Sequence, residues 1–182
     1  LICLLMTCVA LFGTYPTAAQ PESPRASSAD ALGHALTKLG YTGISLERMR
    51  TGHLVASVRI EGQAGKHDLR LVIDNGSGVT LLTPDAAKAL GLSVDKTNGF
   101  AGGLGGGGIA VSTTRAKAFK VGSHEEKDVS LLVIDIAHVN AGFKGAGERA
   151  VDGVIGSDWM LAKKTLLDIE SARLFILAPK AK

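Results

Sequence analysis

One acid in this sequence stands where it can act on another molecule. Asp74 ends the apolar run Leu71-Val72-Ile73 and is followed by Asn75-Gly76-Ser77. A carboxylate at a strand tip has a rigid base. A glycine-containing turn after it lets backbone N–H groups point at the oxygens and hold one orientation. Such an acid suits general acid–base chemistry. The segment alone is also an ordinary turn, because Asp-Asn-Gly is common where chains reverse. Two further acids, Asp152 and Asp158, flank Gly153-Val154-Ile155-Gly156-Ser157. Asp158 reads as the cap of a short helix that starts beside it. Other chemistries have less support. Ser77, Ser112 and Ser157 sit in no Gly-x-Ser-x-Gly elbow, which argues against a serine hydrolase. His34, His53, His67, His124 and His138 show no metal-ligand spacing and no cysteine joins them, so neither a metal nor another cofactor is expected. The cluster Gly102, Gly103, Leu104, Gly105, Gly106, Gly107 and Gly108 contains a G-x-G-x-x-G match. A dinucleotide site would need a helix after it, and strand-like alternation at Ile109, Val111 and Thr113 follows instead. The cluster therefore reads as the loop of a hairpin.

These residues need elements to hold them. From His53 the period is two: Leu54, Ala56, Val58 and Ile60 alternate with Val55, Ser57, Arg59 and Glu61. Residues 61–65 supply a turn, and Leu69, Leu71 and Ile73 resume the alternation up to Asp74. The pattern predicts a β-hairpin that delivers the carboxylate. Residues 79–82 read as a short strand. Thr83-Pro84-Asp85 then opens a helix, with a hydroxyl cap, Pro at the first position and an acid in the first turn; Gly91 stops it. Residues 109–119 alternate, residues 121–123 turn, and residues 129–136 are strongly apolar. Residues 141–149 read as a polar loop. Residues 151–155 read as a strand, and Gly156-Ser157-Asp158 opens a short helix whose Trp159 and Met160 read as core. Residues 165–169 and 174–177 form a closing hairpin. Upstream, residues 30–39 have helical spacing, with Leu32, Ala35, Leu36 and Leu39 on one face and Gly40 as the stop. Short strands with frequent turns predict a mainly β fold: a small closed barrel with two short helices, preceded by an N-terminal helix.

Composition agrees with a β-rich domain. The 182 residues include 23 glycines, and only 4% are aromatic, so tight turns and an aliphatic core are expected. The net charge of +3 is slight and the basic residues are scattered, which excludes an evident nucleic-acid surface. Residues 1–13 are nearly all apolar but too short to span a bilayer, which takes about 20 residues. Thr17-Ala18-Ala19-Gln20 suits signal cleavage. With no initiator Met or basic leader, residues 1–19 read as a signal peptide short of its first residues. The expected product is periplasmic or secreted, with no membrane span. Cys3 and Cys8 both fall in that segment, so its stability must come from packing or dimerisation. Lipid anchoring at Cys8 ranks last, because Leu5-Met6-Thr7 is a poor lead-in. Residues 20–28 read as a linker, 29–51 as helix and lead-in, and 52–182 as the domain.

The order of these motifs resembles the retropepsin-like aspartic proteases, specifically their exported bacterial branch. Asp74-Asn75-Gly76-Ser77 is similar to the Asp-Thr/Ser-Gly loop of that family. The preceding hairpin, the helix Pro84-Asp85-Ala86-Ala87-Lys88-Ala89-Leu90, and a glycine-rich hairpin in the place of a flap follow the family order. Val154-Ile155-Gly156 resembles the second signature, and Leu167-Asp168-Ile169 with Leu174-Phe175-Ile176-Leu177 resembles the closing strands. The likeness runs over residues 53–177.

That resemblance implies a retropepsin-like barrel, Asp74 as the catalytic acid, a flap at residues 102–108, and an extended polypeptide as substrate. Two neighbouring carboxylates share one proton; one activates water while the other polarises the scissile carbonyl. This chain carries one such loop, since Asp152-Gly153 lacks the residue between acid and glycine. A homodimer must therefore supply the second acid. The chain departs from the family at Asn75, where Thr or Ser normally bonds across the dimer. Asn offers both donor and acceptor but is larger and flat. Asn75 thus motivates a rival reading, a catalytically inactive relative that binds peptides or only dimerises.

Overall fold

The computed structural model of the protein describes residues 25–102 and 108–178. Helix α1 (Arg25–Lys38) leads into strands β1 (Tyr41–Ser45) and β2 (Glu47–Arg48). The period-two run beyond His53 is the hairpin of β3 (Leu54–Gly62) and β4 (Gly65–Ile73), closed by two residues with Gly62 opposite Gly65. Then come β5 (Leu81–Leu82), α2 (Pro84–Ala89), β6 (Val94–Gly102), β7 (Gly108–Val121) and β8 (His124–Val133). The chain ends with α3 (Ala137–Gly145), β9 (Gly153–Ile155), α4 (Ser157–Ala162), β10 (Leu166–Asp168) and β11 (Arg173–Leu177).

Six strands close into a barrel in the order β3-β4-β9-β5-β8-β7, and β7 returns to β3. The expected mainly β fold with a small closed barrel is therefore found. Its interior holds Ala56, Val58, Ile60, Leu71, Leu82, Phe119 and Ile155. A second apolar cluster lies on the outer side of the same strands, where Val55, Val72, Leu81 and Val154 meet Ile134, Ile136, Phe143 and Val151. This explains why Leu54-Val55-Ala56 and Leu71-Val72-Ile73 are apolar at every position: both faces of those segments are covered. Beyond the barrel, β7 runs on with β6 as a hairpin whose Gly102 and Gly108 face each other. A separate sheet, β1-β11-β10, adds Leu174 and Ile176 to the barrel core.

Several expectations need correction. Three short helices stand beside the barrel, not two, because residues 141–149 are partly helix α3 rather than a loop. Its pattern was hidden: it contains Gly142 and Gly145, and only Phe143 is buried. Helix α1 starts at Arg25, inside the stretch read as linker. Its expected apolar face does not dock as a whole; Leu36 is buried, but Leu32 and Leu39 are exposed. The lead-in contributes β1 and β2, so residues before 52 belong to the folded unit. Strand β6 went unread because it contains Asp95, Lys96 and Asn98 and lies outside the closed barrel. The strand expected at 79–82 is shortened to Leu81–Leu82. Among the described residues no helix is long and apolar enough to cross a membrane.

Gly153 lies between β4 and β5, opposite both Leu71 and Leu82. A Cβ there would stand 2.2 Å from the Leu81 carbonyl oxygen. Gly153→Ala is expected to cost about 1–3 kcal/mol through forced backbone displacement. The readout is a lower urea midpoint with an unchanged denaturant slope.

Candidate functional site

Strand β9 is threaded between β4 and β5, two strands that follow one another in the chain. It runs parallel to β4, with Ile73 beside Ile155, and antiparallel to β5, with Leu81 beside Val154. The connection from β4 to β5 must therefore cross the end of β9. That connection is the loop of residues 74–80, and Asp74 is its first residue.

Asp74 is half-buried where β4 ends. Its N–H donates to the Ile155 carbonyl at 3.0 Å, and its carbonyl accepts from the Ser77 N–H at 3.1 Å. Its carboxylate Oδ1 accepts from the Gly76 N–H at 2.9 Å. The turn orients the acid through a backbone donor, as Gly76 in this position suggested. Asn75 is exposed, and its side chain has no hydrogen bond among the described residues. Ser77 is buried; its hydroxyl donates to the Val79 carbonyl at 2.8 Å. Its own carbonyl accepts from the Ser157 N–H at 2.8 Å and from the Ser157 hydroxyl at 2.9 Å.

Val154, Ile155 and Gly156 are buried against this loop. A Cβ at Gly156 would stand 2.3 Å from the Val79 carbonyl oxygen, so the close approach requires glycine. The two signatures, nearly eighty residues apart, are thus brought together by six hydrogen bonds between residues 74–80 and 155–158. Gly102 and Gly108 lie at the end of the β6–β7 hairpin, and the intervening Gly103, Leu104, Gly105, Gly106 and Gly107 lie outside the described residues.

Asp158 is not the helix cap expected of it. Gly156 holds the cap position and Asp158 lies in the first turn of α4. Its carboxylate accepts from the Trp159 N–H, but it also reaches across to Thr80. Thr80 is a buried residue that sequence reasoning did not single out. Its local sequence carries no signal; only its position opposite Gly156 gives it importance. Asp152 accepts from the Arg70 N–H and lies in the lead-in to β9.

Helix α4 is braced from behind. Trp159 Nε1 donates to Glu126 Oε1 at 2.7 Å, and Lys163 pairs with Glu126 Oε2. The His124 ring stands edge-on to Trp159, and its Nε2 is buried 3.8 Å from Glu126 Oε1, with no hydrogen-bond partner among the described residues. No three His, Cys, Asp or Glu side chains gather as a metal would require among the described residues. The arrangement provides one oriented carboxylate on a rigid base. Activating a water and polarising a carbonyl at once needs a second acid.

The family model described as aspartyl protease matches residues 56–159, more than half of the chain. Among solved structures, a retropepsin-like aspartic protease from Rickettsia conorii is similar with a TM-score of 0.50 and 17% identity, covering 75% of this chain and 90% of that one. EIAV protease in complex with an inhibitor matches with a TM-score of 0.44 and 17% identity, covering 67% of this chain and 93% of that one. No curated protein sequence matches at a significant level.

Burial, then Lys163, holds the His124 imidazole below its ordinary value of 6.5, against the pull of Glu126. The folded state thus takes up this proton less readily than the unfolded chain, so stability falls as pH drops below about 6.5. Glu47, Asp68 and Asp168 are held low chiefly by Arg70, Arg59 and Ser171 respectively. Their contribution is present above their ordinary values of 4.5, 3.8 and 3.8 and is lost as pH falls through their lower folded values. Urea midpoints measured between pH 7.5 and 5.5 should fall in the parent and fall less in His124→Gln. Equal slopes would remove His124 from this account.

Proposed function

The chain belongs to the aspartyl protease family, and we propose that it is an aspartic endopeptidase whose active site is completed by a second copy of itself. The observation that carries this reading is Asp74. It is a single carboxylate held by its own turn and clamped on Val154-Ile155-Gly156, with no second such loop in the chain. In the dimer the two Asp74 carboxylates share one proton. The ionised member takes a proton from water, and the protonated member donates a hydrogen bond to the scissile carbonyl. Water attacks directly, so no covalent enzyme intermediate forms. The substrate is a polypeptide in extended conformation, covered by a flap at residues 102–108.

Two features support a second copy. Asn75 faces outward with both donor and acceptor groups free of partners among the described residues, so it is available to bond across a two-fold axis. Leu161, Leu166 and Ile169 are exposed on α4, β10 and the turn after it, in the segment that continues from the Ser157–Ser77 contact. The apolar segment at residues 1–13 and the small residues at 17–20 support export, either to a periplasm or to the outside, as in an exported bacterial branch. A second reading rests on Asn75: a relative that pairs and binds peptides without cleaving them.

Digestion of a peptide library by the purified protein across pH tests the proposal. Activity is expected to be highest at mildly to strongly acidic pH, because raising the pH removes the shared proton. Asp74→Asn should keep the fold and the dimer and lose hydrolysis by about 10²–10⁴-fold or more. Full activity in that variant would end the mechanism. Asn75→Thr should preserve or increase activity; an inert parent beside an active Asn75→Thr would establish the second reading. In sedimentation, the combined Leu161→Asp and Leu166→Asp variant should shift from dimer to monomer and lose activity with it.

A further inference from the structure

We infer that Thr80 and Asp158 form a positioning clamp that sets the place of Asp74, resting on the endopeptidase reading above. Asp158 is the acid that reaches the Asp74 loop from α4. Its oxygens are already taken. Oδ2 accepts from the Thr80 N–H at 3.0 Å, and Oδ1 accepts from the Thr80 hydroxyl at 2.7 Å and from the Trp159 N–H at 2.6 Å. Thr80 is buried, and its Oγ1 accepts in turn from the Gly156 N–H at 3.0 Å. One hydroxyl thus joins the end of the loop, the turn of the second signature and the first turn of α4.

The geometry matters because Asp74 sits at the other end of the same loop. Asp74 is tied to β9 through Ile155, the middle of the loop is tied through Ser77 to Ser157, and the end is tied through Thr80 to Gly156 and Asp158. Residues 155–158 therefore form one template, and the loop is fixed on it at three points. Releasing the last point frees residues 78–80 and leaves the Ser77–Ser157 contact as the loop's only tie to the template beyond Asp74, with the barrel intact. Asp74 Oδ1 is held by Gly76, the neighbour of that weakened tie. Placement errors near 1 Å can cost about 10²-fold in rate while binding is retained. Thr80 is well suited to this role. Its hydroxyl donates to one group and accepts from another, which neither Val nor Ala can do. Asp158 is also specific. It presents acceptors to three donors, whereas Asn would turn its NH₂ group toward one of them.

The test uses the full chain. In Thr80→Val, kcat on a cleaved peptide should fall by about 10²-fold with KM changed by no more than roughly twofold. Thr80→Ser should restore most of it. Asp158→Asn should lower kcat in the same way, and adding it to Thr80→Val should cost little more, because both break one clamp. The amide protons of Gly76 and Ser77 should exchange faster with solvent in Thr80→Val, while those of β3 and β4 keep their rates. The inference is overturned if kcat is unchanged, or if exchange rises throughout the barrel and Thr80→Ser rescues nothing. A parent that cleaves no peptide would sink the endopeptidase reading alone. Exchange at Gly76 and Ser77 would then still decide the clamp, for it if confined to the loop and against it if absent. Should Thr80→Val fail to fold, the kcat and exchange of Asp158→Asn decide in its place.

Discussion

Everything at the site depends on a three-residue strand being buried between two strands that are neighbours in sequence. Threading β9 between β4 and β5 forces the chain leaving β4 to cross over the strand end before it can turn into β5. The crossing stretch is the loop that carries Asp74. Because β9 is short, its backbone can support the loop only by close contact. Glycine at 153 and at 156 allows carbonyl oxygens of Leu81 and Val79 to approach where any Cβ would stand. The acid is therefore held by backbone geometry, which relaxes less readily than a side-chain arrangement.

The strand that supports the acid is itself supplied by a segment held in place by charge. The stretch from α3 to β9 is tied down by Arg70, which donates to the Ala150 and Arg149 carbonyls and pairs with Glu47 on β2. Arg149 joins Glu47, and Arg50 pairs with Glu148. Such exposed pairs contribute little singly, but together they fix where the chain enters the barrel. Acidification weakens the Glu47 pairs and disfavours burial of the His124 ring, while the proposed chemistry needs a shared proton. The proposed protease would thus work at a compromise, acidic enough for hydrolysis and not so acidic that Glu47 releases its arginines.

Much of this was readable along the chain because alternation is strong where a strand has one covered face and one wet face. The β3–β4 hairpin, the Thr83-Pro84-Asp85 helix start and the closing β10–β11 hairpin all announce themselves locally. The elements that went unread lack such a signature. Helix α3 covers the outer cluster with little more than Phe143, and β1 is largely exposed and contains Gly43. Thr80 carries no local sign at all. Its importance comes from a neighbour 76 residues away in sequence, and only folding places it there. Asp158 was legible as an acid beside a helix but not as the partner of Thr80, for the same reason.

Asn75 departs from the family loop, yet nothing inside the described protomer leans on it. The turn is made by Gly76, the acid is oriented by the Gly76 N–H, and the loop is buried through Ser77. An exposed side chain with no partner among the described residues does not strain that fold by being larger than Thr. Its effect therefore falls on whatever meets that face. In the proposed two-fold pair, residue 75 of each copy would approach the other loop, and a flat amide would have to find room where a compact hydroxyl fits easily. If the copies adjust, Asn75 donates and accepts across the axis and the acids stay paired. If they do not, the acids are held apart while each barrel remains intact. In the proposed pair, Asn75 would thus leave the fold untouched and act on the distance between the two carboxylates.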